Sequence, residues 1–209
     1  MEKYLPSSPT ESESEDSPER PTTPGGSEYP YLPEQWKEGW KYEYVPLDNP
    51  FMTEARRVAK TESSDRKQQT GSVLVNANGE IIGRGANFSP LHAELRAKFE
   101  RGEIDDERCE RVKAGSPTGT GYELCEGCSS KYHSEPTAIR NAEELGNDTH
   151  GASLYLWGHW WCCKDCLDAA EAAGIGQVYL VEDSDRLFNK THPDNLDGSL
   201  LKQEVEAPV

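Results

Sequence analysis

An α/β fold, with helices on both faces of one sheet, is predicted by three patterns in this 209-residue chain. A capped amphipathic segment near residue 50 opens the series. A hairpin pattern follows over residues 72–82, and two helix-then-strand units run from 136 to 157 and from 163 to 181. The resulting order, α-β-β-α-β-α-β, places helices between strands and requires crossovers that cover the sheet.

The elements follow from local chemistry. Asn49-Pro50 offers an N-cap followed by proline at the first helical position. Phe51, Ala55, Val58 and Ala59 then recur on one face, which predicts a helix over 50–62. Ser72-Val73-Leu74-Val75 and Glu80-Ile81-Ile82 carry β-branched and aliphatic residues and flank Asn76-Ala77-Asn78-Gly79, a turn rich in residues that tolerate positive φ. Ala138, Ile139, Ala142 and Leu145 share a face, predicting a helix over 136–145, and strand patterns follow at 153–157 and 177–181 around a helix at 163–173. Residues 88–132 are polar and Gly-rich, with a helical patch at 91–101. So long a connection is expected to be functional or metal-stapled.

The flanks differ from this core. Residues 1–28 are an acidic Ser/Pro/Glu-rich tail. Its stretch 6–28 has no aliphatic, aromatic, Met or Cys side chain to offset the entropy of ordering, so it is expected to be disordered. Residues 29–48 carry Tyr29, Tyr31, Trp36, Trp40, Tyr42 and Tyr44, and are expected to lie across the core surface or a neighbouring subunit. The core domain is then 49–182, with 88–132 as its insertion, and 183–209 reads as a polar extended tail.

The net charge of −16 argues against general affinity for nucleic-acid phosphates. It is unevenly spread. Residues 1–40 hold 9 acids and 3 bases, residues 182–209 hold 7 and 3, and the remainder carries −6. Such a core can still hold one phosphate, for which Arg56, Arg57, Arg66, Lys67 and Arg84 are candidates. No run approaches a membrane helix, no apolar leader is evident, and six cysteines without a secretion signal favour metal or catalysis over disulfides. A cytoplasmic protein is expected.

Chemistry concentrates at two predicted helix starts. Cys163 and Cys166 are three apart, so their sulfurs face one way, and a helix N-terminus favours thiolates. With His133 they make three ligands, leaving the fourth tetrahedral position of zinc open, as in catalytic sites. The helices after Glu135 and Cys163 are joined through one strand, and a right-handed crossover brings both N-termini to the same sheet edge.

His133-Ser134-Glu135-Pro136-Thr137-Ala138-Ile139, followed by Cys163-Lys164-Asp165-Cys166, resembles the zinc-dependent cytidine and deoxycytidylate (dCMP) deaminase superfamily. Upstream, Ser64-Asp65, Gly71-Ser72-Val73-Leu74-Val75 and Gly83-Arg84-Gly85-Ala86-Asn87 are similar to the deoxycytidylate type, and the resemblance covers about residues 50–182. It implies a three-layer α-β-α cytidine deaminase-like fold with a mixed sheet, and a hydrolase converting a cytosine nucleotide to its uracil form with release of ammonia. It implies one zinc on His133, Cys163 and Cys166, with Glu135 as the catalytic proton carrier. The backbone N–H of Ser134 would hold the base carbonyl, and Asn87 a sugar hydroxyl. It further implies a small-molecule nucleotide or nucleoside as partner rather than a polynucleotide, and a homo-oligomer. A second, structural zinc in the insertion would use His92, Cys109, Cys125 and Cys128.

One departure from the family pattern is plain: Cys162 stands where proline usually precedes the first metal cysteine, and its thiol is a candidate substitute ligand. His92-Ala93-Glu94 also spells H-x-E, but 71 residues rather than 30 would then separate His from Cys163. Free cytidine, another base or a polynucleotide base are alternative substrates. Two readings outside catalysis are a zinc ribbon pairing Cys125/Cys128 with Cys163/Cys166 in a binding module, and an inactive scaffold.

Overall fold

The computed structural model describes residues 42–65, 68–116, 120–189, 192, 195 and 196. The expected acidic tail, most of the aromatic extension, Arg66, Lys67 and most of the C-terminal tail lie outside the described residues.

Alternation along the strands divides the core in two. Leu74, Leu154, Leu156, Val178 and Leu180 point to one face, where they meet Ala138, Ile139, Ala142, Leu167 and Ala170 of two helices. Val73, Val75, Tyr155, Trp157 and Val181 point to the other, where they meet Met52, Ala55 and Ala59. The strands are β1 (Tyr42–Val45), β2 (Gly71–Val75), β3 (Ile81–Ala86), β4 (Ser153–Trp157) and β5 (Gln177–Val181). They form one sheet in the order β1-β5-β4-β2-β3. β1, β5 and β4 run parallel, while β2 is antiparallel to both β4 and β3, so the sheet is mixed.

Helix α1 (Pro50–Glu62) covers the second face; α4 (Ser134–Glu144) and α5 (Lys164–Ala172) cover the first. This is the expected three-layer α-β-α arrangement. The Asn49 side chain accepts from the backbone N–H groups of Phe51 and Met52, which satisfies two orphan donors at the start of α1. The insertion holds α2 (Pro90–Glu100), a four-residue α3 (Glu110–Lys113) and three short 3₁₀ turns, Tyr122–Leu124, Glu126–Cys128 and Ser130–Tyr132.

The structure differs from the sequence expectations at both margins. Tyr42–Val45 is an edge strand pairing with β5, with Tyr42 opposite Val178, so the end of the aromatic segment is part of the sheet. Directly after Asp183 the described residues are not extended: Ser184–Leu187 forms α6, and Phe188, only 4% exposed, packs edge-on to Trp157 at 5.0 Å. Among the described residues no helix is long and apolar enough to cross a membrane.

Two glycines decide how closely α4 approaches the sheet. A Cβ on Gly85 would fall 2.2 Å from the Ala138 nitrogen and 2.5 Å from the Ser134 oxygen, and one on Gly83 would fall 2.5 Å from the Ala138 oxygen. Only glycine lets the helix backbone rest on β3. That contact sets the position of His133 and Glu135 at the start of α4.

Candidate active site and metal centres

His133 and Cys163 are the N-cap residues of α4 and α5, and share the same backbone geometry, φ −68° and ψ 160°. The two helix starts converge beyond the sheet edge. His133 Nδ1 lies 3.3 Å from Cys166 Sγ and 3.6 Å from Cys163 Sγ, and the sulfurs are 3.1 Å apart. Tetrahedral zinc, with Zn–S near 2.3 Å and Zn–N near 2.0–2.1 Å, sets its ligand atoms about 3.5–3.8 Å apart, so these three fit with a small expansion. Electrostatics agree with that donor set. A hydrogen bond from Cys166 lowers the Cys163 thiol to about 6, helped by His133, while burial pushes Cys166 up. Two packed sulfurs thus ionise once and resist the second ionisation, and a cation relieves that conflict.

Glu135, in the first turn of α4, lines the same pocket but is not in the ligand cluster. It is 5% exposed, and its Oε2 accepts a 3.0 Å hydrogen bond from Ser134 Oγ, which itself accepts from Ser72 Oγ at 2.9 Å. Ser134 is wholly buried, so its hydroxyl braces Glu135 instead of facing the pocket. Cys162 is also buried, among the apolar side chains under α4 and α5 and outside the ligand cluster; burial raises its thiol well above the ordinary value. The structure therefore gives no support to Cys162 as a substitute ligand.

A second cluster forms in the insertion. Cys125 Sγ and Cys128 Sγ lie 3.5 and 3.7 Å from His92 Nε2, and Cys109 Sγ lies 3.7 Å from Cys128 Sγ. These separations also match tetrahedral zinc, here with four ligands and no open position. Burial and the neighbouring Cys109 push the Cys128 thiol to about 12, and burial lowers His92. Gly127 permits the packing: a Cβ there would come 3.0 Å from His92 Nε2. The two C-x-x-C pairs fall in separate clusters, which overturns the zinc-ribbon pairing of Cys125/Cys128 with Cys163/Cys166.

A cavity of about 210 Å³ joins the two centres: His133, Glu135 and Cys163 line it, and so do His92, Gly127 and Cys128. Asn87 lines it as well. Its Oδ1 accepts from Ser63 Oγ and the Thr70 N–H, and its Nδ2 donates to Gln68 O, so the amide clamps the loop at the rim. Several wall residues carried no chemical signal in the sequence: Gln68 from that loop, Arg111 and Tyr122 from the insertion, and His159 and Trp161 ahead of Cys162. Of the expected phosphate-binding arginines that are described, Arg57 and Arg84 pair with Glu54 and Arg56 lies over the Trp157 ring; none of these three lines the cavity.

An α/β sandwich with a His-Cys-Cys trio and a carboxylate at adjoining helix starts defines the zinc-site class of nucleobase deaminases. The chain belongs to the family described as the cytidine and deoxycytidylate deaminase zinc-binding region, whose model matches residues 46–182. No curated protein matches it in sequence. Solved structures similar to it include a diaminohydroxyphosphoribosylaminopyrimidine deaminase/5-amino-6-(5-phosphoribosylamino)uracil reductase from Thermotoga maritima, at 22% identity over 62% of this chain and TM-score 0.34. This chain spans only 28% of that protein. A dCMP deaminase from cyanophage S-TIM5 is 19% identical over 67% of this chain and 87% of that one, TM-score 0.39. A guanine deaminase from Bacillus subtilis is 19% identical over 76% of each chain, TM-score 0.35.

Proposed function

We propose that this chain is a zinc-dependent hydrolytic deaminase that converts a cytosine nucleotide of the dCMP type to the uracil form and releases ammonia. The observation that carries this reading is the convergence of His133, Cys163 and Cys166 beside Glu135 in one cavity. Zinc, when bound there, supplies a water activated as a nucleophile near neutral pH.

The protein's own groups do the rest. Glu135 takes the proton of the attacking water as the oxygen–carbon bond forms at the ring carbon bearing the amine, and passes it to the ring nitrogen. The same carboxylate then takes the remaining proton of the hydroxyl now on that carbon and delivers it to the amine, so that the carbonyl forms as the carbon–nitrogen bond breaks and ammonia leaves. Ser134 and Ser72 hold Glu135 Oε2 in place through this exchange. The Ser134 backbone N–H holds the base carbonyl. Asn87, one N–H of which has no protein partner among the described residues, donates to a sugar hydroxyl. His92, Cys109, Cys125 and Cys128 hold a second, structural zinc. We place the enzyme in the cytoplasm, as a homo-oligomer acting on small molecules.

Ammonia release over dCMP, CMP, cytidine, deoxycytidine, guanine and single-stranded DNA tests the proposal, with Glu135→Ala as the blank. Turnover of dCMP above the blank is expected. Release from guanine or DNA alone would replace the substrate, and release from none would overturn the activity.

A further inference from the structure

Arg111 is the one Lys or Arg lining the cavity among the described residues. Its guanidinium lies 4.5 Å from the centre of the Tyr122 ring, and its Nε donates to Thr120 O at 2.7 Å. Stacking and this hydrogen bond together fix the plane of the fork, which is the geometry that suits bidentate recognition of a phosphate. Both partners are tied to the second cluster: Arg111 is two residues after Cys109, and Tyr122 three before Cys125. The cluster in turn supplies His92, Gly127 and Cys128 to the same cavity wall. Elsewhere that wall offers the Asp65 carboxylate and the neutral hydroxyls and amide of Ser64, Thr70 and Gln68, none of which carries a positive charge.

We infer that Arg111 is the specificity-determining residue that reads a substrate phosphate, and that the Cys109–Cys125–Cys128–His92 cluster holds it in reach. The inference rests on the nucleotide-deaminase reading and deepens it: the substrates are nucleoside monophosphates, selected by charge at a wall of the cavity that Glu135 also lines. The insertion is then a recognition wall whose shape depends on its metal.

The test uses the full chain with zinc added, and compares wild type, R111Q and R111K. For dCMP, R111Q raises KM about 10–100-fold, the loss of one or two hydrogen bonds to a charged group, with kcat little changed. For deoxycytidine neither constant moves, and R111K recovers part of the dCMP loss. Equilibrium binding of dCMP and deoxycytidine to E135A and E135A/R111Q gives the same comparison without turnover. If wild type deaminates nothing, the enzymatic reading fails while binding still judges Arg111. A dCMP preference lost in E135A/R111Q supports it, and equal affinities overturn it. Loss of affinity for both ligands alike also overturns it. In C109S, measured at one zinc per chain, dCMP affinity falls and deoxycytidine affinity holds; unchanged dCMP affinity would remove the cluster from the inference. Zinc content and melting temperature of R111Q, expected at wild-type values, separate recognition from collapse of the insertion.

Discussion

Ser134 Oγ donates a 3.0 Å hydrogen bond to Glu135 Oε2 from a position with no solvent exposure. Ser72 on β2 donates to that same hydroxyl at 2.9 Å, so the carboxylate is anchored to the sheet through two buried side chains. Ser134→Ala removes the direct donor and leaves a carboxylate oxygen less well held. A drop of about 10-fold in kcat is expected, the rate equivalent of one hydrogen bond of about 1.4 kcal/mol, with zinc content unchanged. Stopped assays with metal analysis measure both. A kcat at the wild-type level would show that the relay has no part in holding Glu135.

Glu135→Ala addresses the proton carrier itself. Turnover is expected to fall by about 10²–10⁴-fold, because Glu135 is the carboxylate that Ser134 holds in the cavity lined by His133 and Cys163. The His133–Cys163–Cys166 trio is untouched, so zinc stays. Normal turnover would falsify the assignment.

Metal stoichiometry separates the two clusters. Both donor sets match tetrahedral zinc, three ligands in one and four in the other, which predicts two zinc ions per chain in carefully purified protein. Cys125→Ser should leave one ion and an active trio, whereas Cys163→Ser should leave one ion and no turnover. One zinc in the wild type would dismiss the insertion site.

Much of the sheet was legible because its signals are local. The strands at 153–157 and 177–181 alternate or are continuously apolar, and the structure returns the same limits. β1 was not legible: Tyr-Glu-Tyr-Val alternates, but its partner Val178 lies far along the chain, and periodicity does not name a partner. The metal-ligand candidates could be picked out by residue type and spacing. Arg111 and Tyr122 could not, because their place at the cavity depends on how the insertion folds around Cys109 and Cys125. Asn87 and Ser134 stood out as letters, yet only coordinates show their side chains bracing a loop and a carboxylate.

Gly85→Ala tests whether close helix–sheet contact positions the site. The new Cβ would meet the Ala138 nitrogen at 2.2 Å, so α4 must shift away from β3. Overpacking of this kind costs about 1–3 kcal/mol, and a displacement near 1 Å at a catalytic group costs about 10²-fold in rate. Gly176→Ala is the control, since the nearest atom to its Cβ is 3.9 Å away. Denaturant unfolding and kcat should both fall in the first variant and hold in the second.

Acid stability depends on Glu54, which joins α1 to the sheet. Its carboxylate accepts from Arg57 Nε at 2.8 Å and from Arg84 Nε of β3 at 2.6 Å. Hydrogen bonding to Arg57, opposed by burial and reinforced by the hydrogen bond to Arg84, lowers its pKa from 4.5 to about 2. A depressed carboxylate stabilises the fold fully above its unfolded pKa near 4.5, and that stability is lost as pH falls toward 2. The arginine side chains are 51% and 43% exposed, so solvent screening reduces the effect to about 1 kcal/mol, or ~2–4 °C in melting temperature. Glu54→Gln should therefore melt below wild type at pH 7 and pH 5. The gap should narrow at pH 3 and close near pH 2. A gap that is constant across this range would show that packing of the side-chain stem, not its charge, supplies the stability.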